Sequence, residues 1–187
     1  MPNSPGFLSN RSPVLIGLVA ASLGGCSGLS TRPAVMPPPT IDEIRSSTVV
    51  GLFDDPVTLR DGRWEGEPYV AGGASRPTAG LIDGLSVAGD LDGDGVCETV
   101  AFLWSATGGS GTRNYVAVFA STDAGVSNRS AVLIGDRVKL REVRVSEGQV
   151  EVDVVEHGPN DAMCCPTVEA TRVWRYDGRD LRETPRN

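Results

Sequence analysis

The sequence predicts a mainly β protein, an antiparallel sandwich or partly open barrel with one short helix at the N-terminal edge. Three observations lead there. Across 187 residues, 23 Gly and 13 Pro favour frequent turns over long helices. Period-two alternation of apolar and polar residues recurs along the chain. Only one short stretch, near residue 41, reads as a helix. The length suits a single domain of ordinary size, and 40% apolar residues can fill a core. Aromatics are only 5%, so that core must rest mainly on Val, Leu, Ile and Ala.

Thr40 can cap a helix over Ile41–Arg45, with Asp42 and Glu43 in its first turn. Val57-Thr58-Leu59, Asp61-Gly62 and Arg63-Trp64 read as a hairpin. Thr99–Trp104 is apolar on both faces and predicts a central strand; Tyr115–Phe119 should return beside it after the loop Thr107–Gly111. Val138 and Leu140 alternate with charged neighbours, and Val143 and Val145 then fall out of phase. A bulge near Arg141-Glu142 accounts for that shift. Ser146-Glu147-Gly148 is a turn, Val150, Val152 and Val154 define the next strand, and Val168–Tyr176 the last, ending at Asp177-Gly178. Trp64, Trp104 and Trp174 each fall on one of these strands and read as packing residues. Short links between strands and a solvated face in places are the mark of antiparallel sheets.

The N-terminus reads as an address. Residues 1–25 carry one charge, Arg11, followed by the uncharged run Val14–Leu23. About 20 apolar residues are needed to span a bilayer, and this run is half that, so a secretory signal is the expectation. Leu23-Gly24-Gly25-Cys26 resembles the lipobox of bacterial lipoproteins. That resemblance implies cleavage before Cys26, a diacylglycerol on its sulfur and an acyl chain such as palmitate on its amine. It divides the chain into a signal peptide (1–25), a lipidated Cys26 with a Pro-rich tether (26–40) and one β-rich domain (41–187). The competing readings are an ordinary signal peptide, or a short uncleaved anchor with an incidental Cys. Ser27, not Asp, follows the cysteine, so an outer-membrane position facing the periplasm is expected if the source is Gram-negative. Loss of residues 1–25 moves the net charge from −7 to −8. The membrane partner is therefore met through lipid, not through attraction to anionic headgroups. An acidic chain with a single Lys (Lys139) and no basic run argues against nucleic acid.

Asp90-Leu91-Asp92-Gly93-Asp94-Gly95-Val96-Cys97-Glu98 places carboxylates at loop positions 1, 3, 5 and 9. Four acids so close repel one another unless a cation sits among them. Gly95 permits the tight turn that would aim the Val96 carbonyl inward. The expected ligands of a structural Ca²⁺ are thus Asp90, Asp92, Asp94, Val96 and Glu98. The loop begins like an EF-hand but has Ala101 at position 12 and a strand behind it. It resembles more closely the Asp-x-Asp-Gly-Asp-Gly loops of FG-GAP and integrin-like propellers, without the repeats that a propeller needs. The competing readings are an acidic turn without metal and a site for Mg²⁺.

Cys97, Cys164 and Cys165 allow one bridge, and export would permit it. Neighbouring Cα atoms lie about 3.8 Å apart and ordinary bridges want 4.4–6.8 Å. A bridge from Cys97 to Cys164 or Cys165 is therefore the easier one; a vicinal bridge and no bridge remain the alternatives. The lone His157 reads as a polar residue at a strand end.

Together, Gly89–Gly95, Gly108–Gly111, Leu133–Val138 and His157–Thr167, with its Cys-Cys-Pro-Thr, resemble a group of uncharacterised bacterial secreted proteins and lipoproteins. In that group the tandem cysteines occur without Cys97, which favours the vicinal bridge. The resemblance carries no activity. The expectation is a lipid-anchored envelope protein, a binding or structural module for an unknown envelope protein or ligand, with no catalytic residues assigned. The alternatives are an envelope hydrolase, which a pocket with an acid and a nucleophile would favour, and an inhibitor or accessory subunit, which a flat apolar patch would favour.

Overall fold

The computed structural model describes residues 36–185. The signal segment, Cys26 and most of the expected tether lie outside them. The single described helix, α1 (Ile41–Ile44), is followed by eleven strands. Strands β3 (Arg63–Glu65), β4 (Thr78–Gly89), β5 (Glu98–Ala106), β6 (Arg113–Thr122) and β7 (Gly125–Asp136) form a five-stranded antiparallel sheet in chain order. A second sheet, ordered β11-β10-β9-β8, comprises β8 (Lys139–Ser146), β9 (Gln149–Glu156), β10 (Val168–Tyr176) and β11 (Leu181–Glu183). The short β1 (Thr48–Val49) and β2 (Val57–Thr58) pair only with each other.

Strand β5 is apolar on both faces because it is covered on both. Side chains alternate across a strand, so Val100 and Phe102 point one way and Ala101 and Leu103 the other. Val100, Phe102, Val116 and Val118 pack on Val150, Val152, Val154 and Trp174 of the second sheet. Leu103, Tyr115 and Phe119 pack on Ile44, Val49, Leu52, Val57 and Leu59. The expected sandwich is thus present, and residues 41–59 add a third layer on its outer face. Each fully buried Val or Phe contributes roughly 1.5–3 kcal/mol of transfer free energy.

Helix α1 is short and depends on its cap. The Glu43 N–H donates to the Thr40 hydroxyl at 3.3 Å, and the Thr40 N–H donates to the Glu43 carboxylate at 2.7 Å. That N–H also holds the Glu43 carboxyl below the ordinary carboxylate range. The cap orients Ile44 into the outer core. Thr40→Ala should lower stability by about 1 kcal/mol, read from the urea midpoint. The preceding chain is already docked: Ser121 donates to the Pro37 carbonyl and Thr99 to the Pro39 carbonyl, each at 2.6 Å.

The phase shift in β8 is a bulge, with the register slipping between Leu140 and Glu142. The predicted hairpin at 57–64 is corrected. Asp61 and Gly62, at φ +50° and +77°, do form a two-residue turn bridged by Arg60 and Arg63. Its arms then part: Val57–Thr58 joins β1, and Arg63–Glu65 joins β4. Both arms still pack on the same outer core, Val57 and Leu59 within it and Trp64, opposite Ala79, against it.

Candidate metal centre

The acidic loop joins β4 to β5 across the mouth of the sandwich. Its carboxylates first bind its own backbone, as Asp side chains do in tight turns. Asp90 accepts from the Gly93 and Gly95 N–H groups at 2.8 and 3.1 Å. Asp92 accepts from Asp94 at 3.2 Å, and Asp94 accepts from Val96 at 2.7 Å. Glu98, at the start of β5, is 5% exposed and accepts from the Leu91 N–H at 3.0 Å. Leu91 is itself a core residue, so this bond ties the loop to the interior.

The result is convergence of three acids. Carboxylate oxygens of Asp90, Asp92 and Glu98 all lie within 4.8 Å of one another. Of the four predicted carboxylate ligands, these three come together, and the Asp94 carboxylate accepts from the Val96 N–H. Hard carboxylate oxygens suit Ca²⁺ or Mg²⁺ rather than a soft metal. Burial pushes the Glu98 carboxyl above the ordinary carboxylate range; the charges of Asp92 and Asp94 push the same way, and the Leu91 N–H opposes them.

Two hairpin turns of the second sheet wall the site. A Cβ on Gly178 would stand 2.9 Å from the Asp92 carboxylate, and one on Gly148 would stand 3.0 Å from the Leu91 carbonyl. Both glycines also have positive φ, so larger residues are disfavoured twice over. Tyr176 on β10 is the neighbour that sequence reasoning missed. Burial raises its phenol, and the charges of Glu98, Asp92 and Asp177 act in the same direction against that of Arg129. The Asp177-Gly178 signal marks a turn but says nothing of what the turn packs on.

The other predicted residues lie elsewhere. Cys164 and Cys165 are bonded to each other, with Cα atoms 3.8 Å apart. A bridge from Cys97 to either is thereby excluded. The physical reason is position: β9 begins near the acidic loop, where Gly148 meets Leu91, and runs away from it for eight residues, about 25 Å. The tandem pair sits beyond that far end, in the exposed β9–β10 connection that begins at His157. Asp161 organises this connection, accepting from the Gly158 and Thr167 N–H groups at 2.9 and 2.8 Å and from the Thr167 hydroxyl. The Gly158 bond foremost, then Thr167, holds its carboxyl below the usual range. A vicinal bridge closes almost no chain. Replacing both Cys164 and Cys165 with Ser should therefore cost far less than the roughly 2–4 kcal/mol of a typical bridge, measured by thermal melting.

No family model, curated protein or solved structure matches the chain.

Proposed function

We propose that this chain is a lipid-anchored cell-envelope protein whose binding or structural module is locked at one end by a calcium-type loop. The observation that carries the metal half is the convergence of Asp90, Asp92 and Glu98 around a point where one acid is buried. Three carboxylates held together without a cation repel; Ca²⁺ removes that repulsion and satisfies oxygens that water reaches poorly. The ion's role is structural, because all of its ligands belong to the β4–β5 loop and the first residue of β5, which it would hold together. Titration calorimetry on the chelator-treated protein should show Ca²⁺ binding in the range of extracellular modules, about 10⁻⁴ to 10⁻³ M. No heat up to about 10 mM, well above that range, would leave the loop an acidic turn.

The anchor half rests on Leu23-Gly24-Gly25-Cys26 and the Pro-rich stretch behind it. One acyl chain holds only marginally and two or more hold stably. In a detergent phase separation, wild type should enter the detergent phase, and Cys26→Ala should move to the aqueous phase or accumulate as precursor. Wild type in the aqueous phase would remove the anchor. The resemblance to the Cys-Cys-Pro-Thr group of secreted proteins and lipoproteins supports this placement, with the outer membrane facing the periplasm favoured in a Gram-negative source.

A further inference from the structure

The outer layer, residues 41–59, covers only part of the five-stranded sheet. Where it stops, a cleft of about 700 Å³ opens between residues 51–57 and the β5–β6 loop. Its size is that of a small-molecule site. We propose that it binds a neutral saccharide, with a pyranose ring seated on the aromatic wall of Phe53 and Trp64.

Three features point to that class. The two aromatic rings are 5.1 Å apart and inclined by 45°, both only partly buried, and so offer apolar faces to a ligand. A pyranose presents flat patches of C–H, which an aromatic face accepts, ringed by hydroxyls that need polar partners. Those partners stand on the rims. Arg113 lines the cleft on one side and Asp54 and Asp55 on the other, and none of the three has an ion pair or side-chain hydrogen bond among the described residues. A ligand of either charge meets repulsion from one rim. A neutral polyol finds a donor on one rim and acceptors on the other, as charge-assisted bonds.

The β6 backbone offers nothing to an extended peptide. Peptides that add to sheets use unpaired edge groups. Here the floor is a sheet face: Tyr115 lies on β6, whose ladder is paired on both sides by β5 and β7. The cleft and the acidic loop have no residue in common.

The test is calorimetry on the full chain, in a detergent without a sugar headgroup. Chitotetraose, cellotetraose and maltotetraose serve as probes, with the dipeptide Lys-Glu as a zwitterionic comparison. Each is titrated to about 10 mM, ten times a Kd of 1 mM. At least one tetrasaccharide should bind and the dipeptide should not. Arg113→Gln and Asp55→Asn, both exposed and structurally mild, should each weaken binding about tenfold, as expected for loss of one charged hydrogen bond. Trp64→Phe should weaken it less, because an aromatic face remains. Unchanged melting of the variants shows that they fold. The proposal is overturned if no tetrasaccharide binds, if only the dipeptide binds, or if affinity is the same in all three variants.

Discussion

Arg172→Ala should destabilise the domain by about 3 kcal/mol, the low end of the cost of breaking a buried ion pair. Arg172, on β10, is 9% exposed. Its Nε and Nη2 both donate to Glu183 on β11, the second at 2.6 Å. Its Nη1 donates to Glu156 on β9 at 3.0 Å and to the Ile134 carbonyl on β7 at 3.3 Å. One guanidinium therefore joins three strands to its own and links the two sheets. It also lies 5.5 Å from the Trp174 ring centroid. The fork with Glu183 raises its pKa further, so it is charged at every accessible pH. Glu183 is about one-third exposed, which is why the low end of the range applies. Arg172→Lys keeps the charge but not the fork, and should recover only part of the loss. Urea unfolding should show a lower midpoint with an unchanged slope.

Glu98→Gln should have opposite effects with and without Ca²⁺. Burial raises the folded-state pKa of Glu98 above its unfolded value, so the folded state holds the proton more tightly. Metal-free wild type should then lose stability as pH rises from the ordinary carboxylate range through the raised value. The variant has no proton to lose and should lack that slope, melting above wild type at neutral pH in chelator. The Gln oxygen can still accept from Leu91, so the loop keeps its tie to the core. In Ca²⁺ the order should reverse, because a carboxylate ligand is gone. A variant less stable than wild type in chelator at neutral pH would show that Glu98 is already satisfied without a cation.

Strands with clean alternation were legible. β9 and β10 stand where Val150, Val152, Val154 and Val168–Tyr176 place them, and the Arg141 bulge follows from a break in phase. β4 and β7 were not, because their patterns are interrupted. β4 carries Gly80, where a Cβ would come within 2.7 Å of the Trp104 indole, and a bulge between Ile82 and Ser86. β7 slips register twice against β6 and carries Asn128 and Arg129 amid its apolar residues. Such strands are set by their partners, not by their own periodicity. β11 is three residues long, too short for a pattern to show. In the site, carboxylate spacing named the loop, since its turns are local. Tyr176, Gly148 and Gly178 come from 50 to 90 residues away, and only the sandwich brings them to it. The vicinal bridge was hard to read because Cα spacing alone favours the longer connection, whereas strand direction puts Cys97 and the tandem pair at opposite ends.

The most direct test of the calcium-locked loop is the melting temperature of wild type and Asp92→Ala, each in excess chelator and in Ca²⁺ at a hundredfold excess over Kd. A cation that binds only the folded loop adds about 2.7 kcal/mol under those conditions, equivalent to about 5–10 °C for a domain of this size. Wild type should show that rise, and Mg²⁺ should produce less of it, given its smaller and stricter octahedral shell. Asp92→Ala should show no rise, and should melt at or above wild type in chelator, because one fewer charge is crowded beside Glu98. Melting of wild type that is indifferent to Ca²⁺, or a rise of equal size in Asp92→Ala, would contradict the assignment.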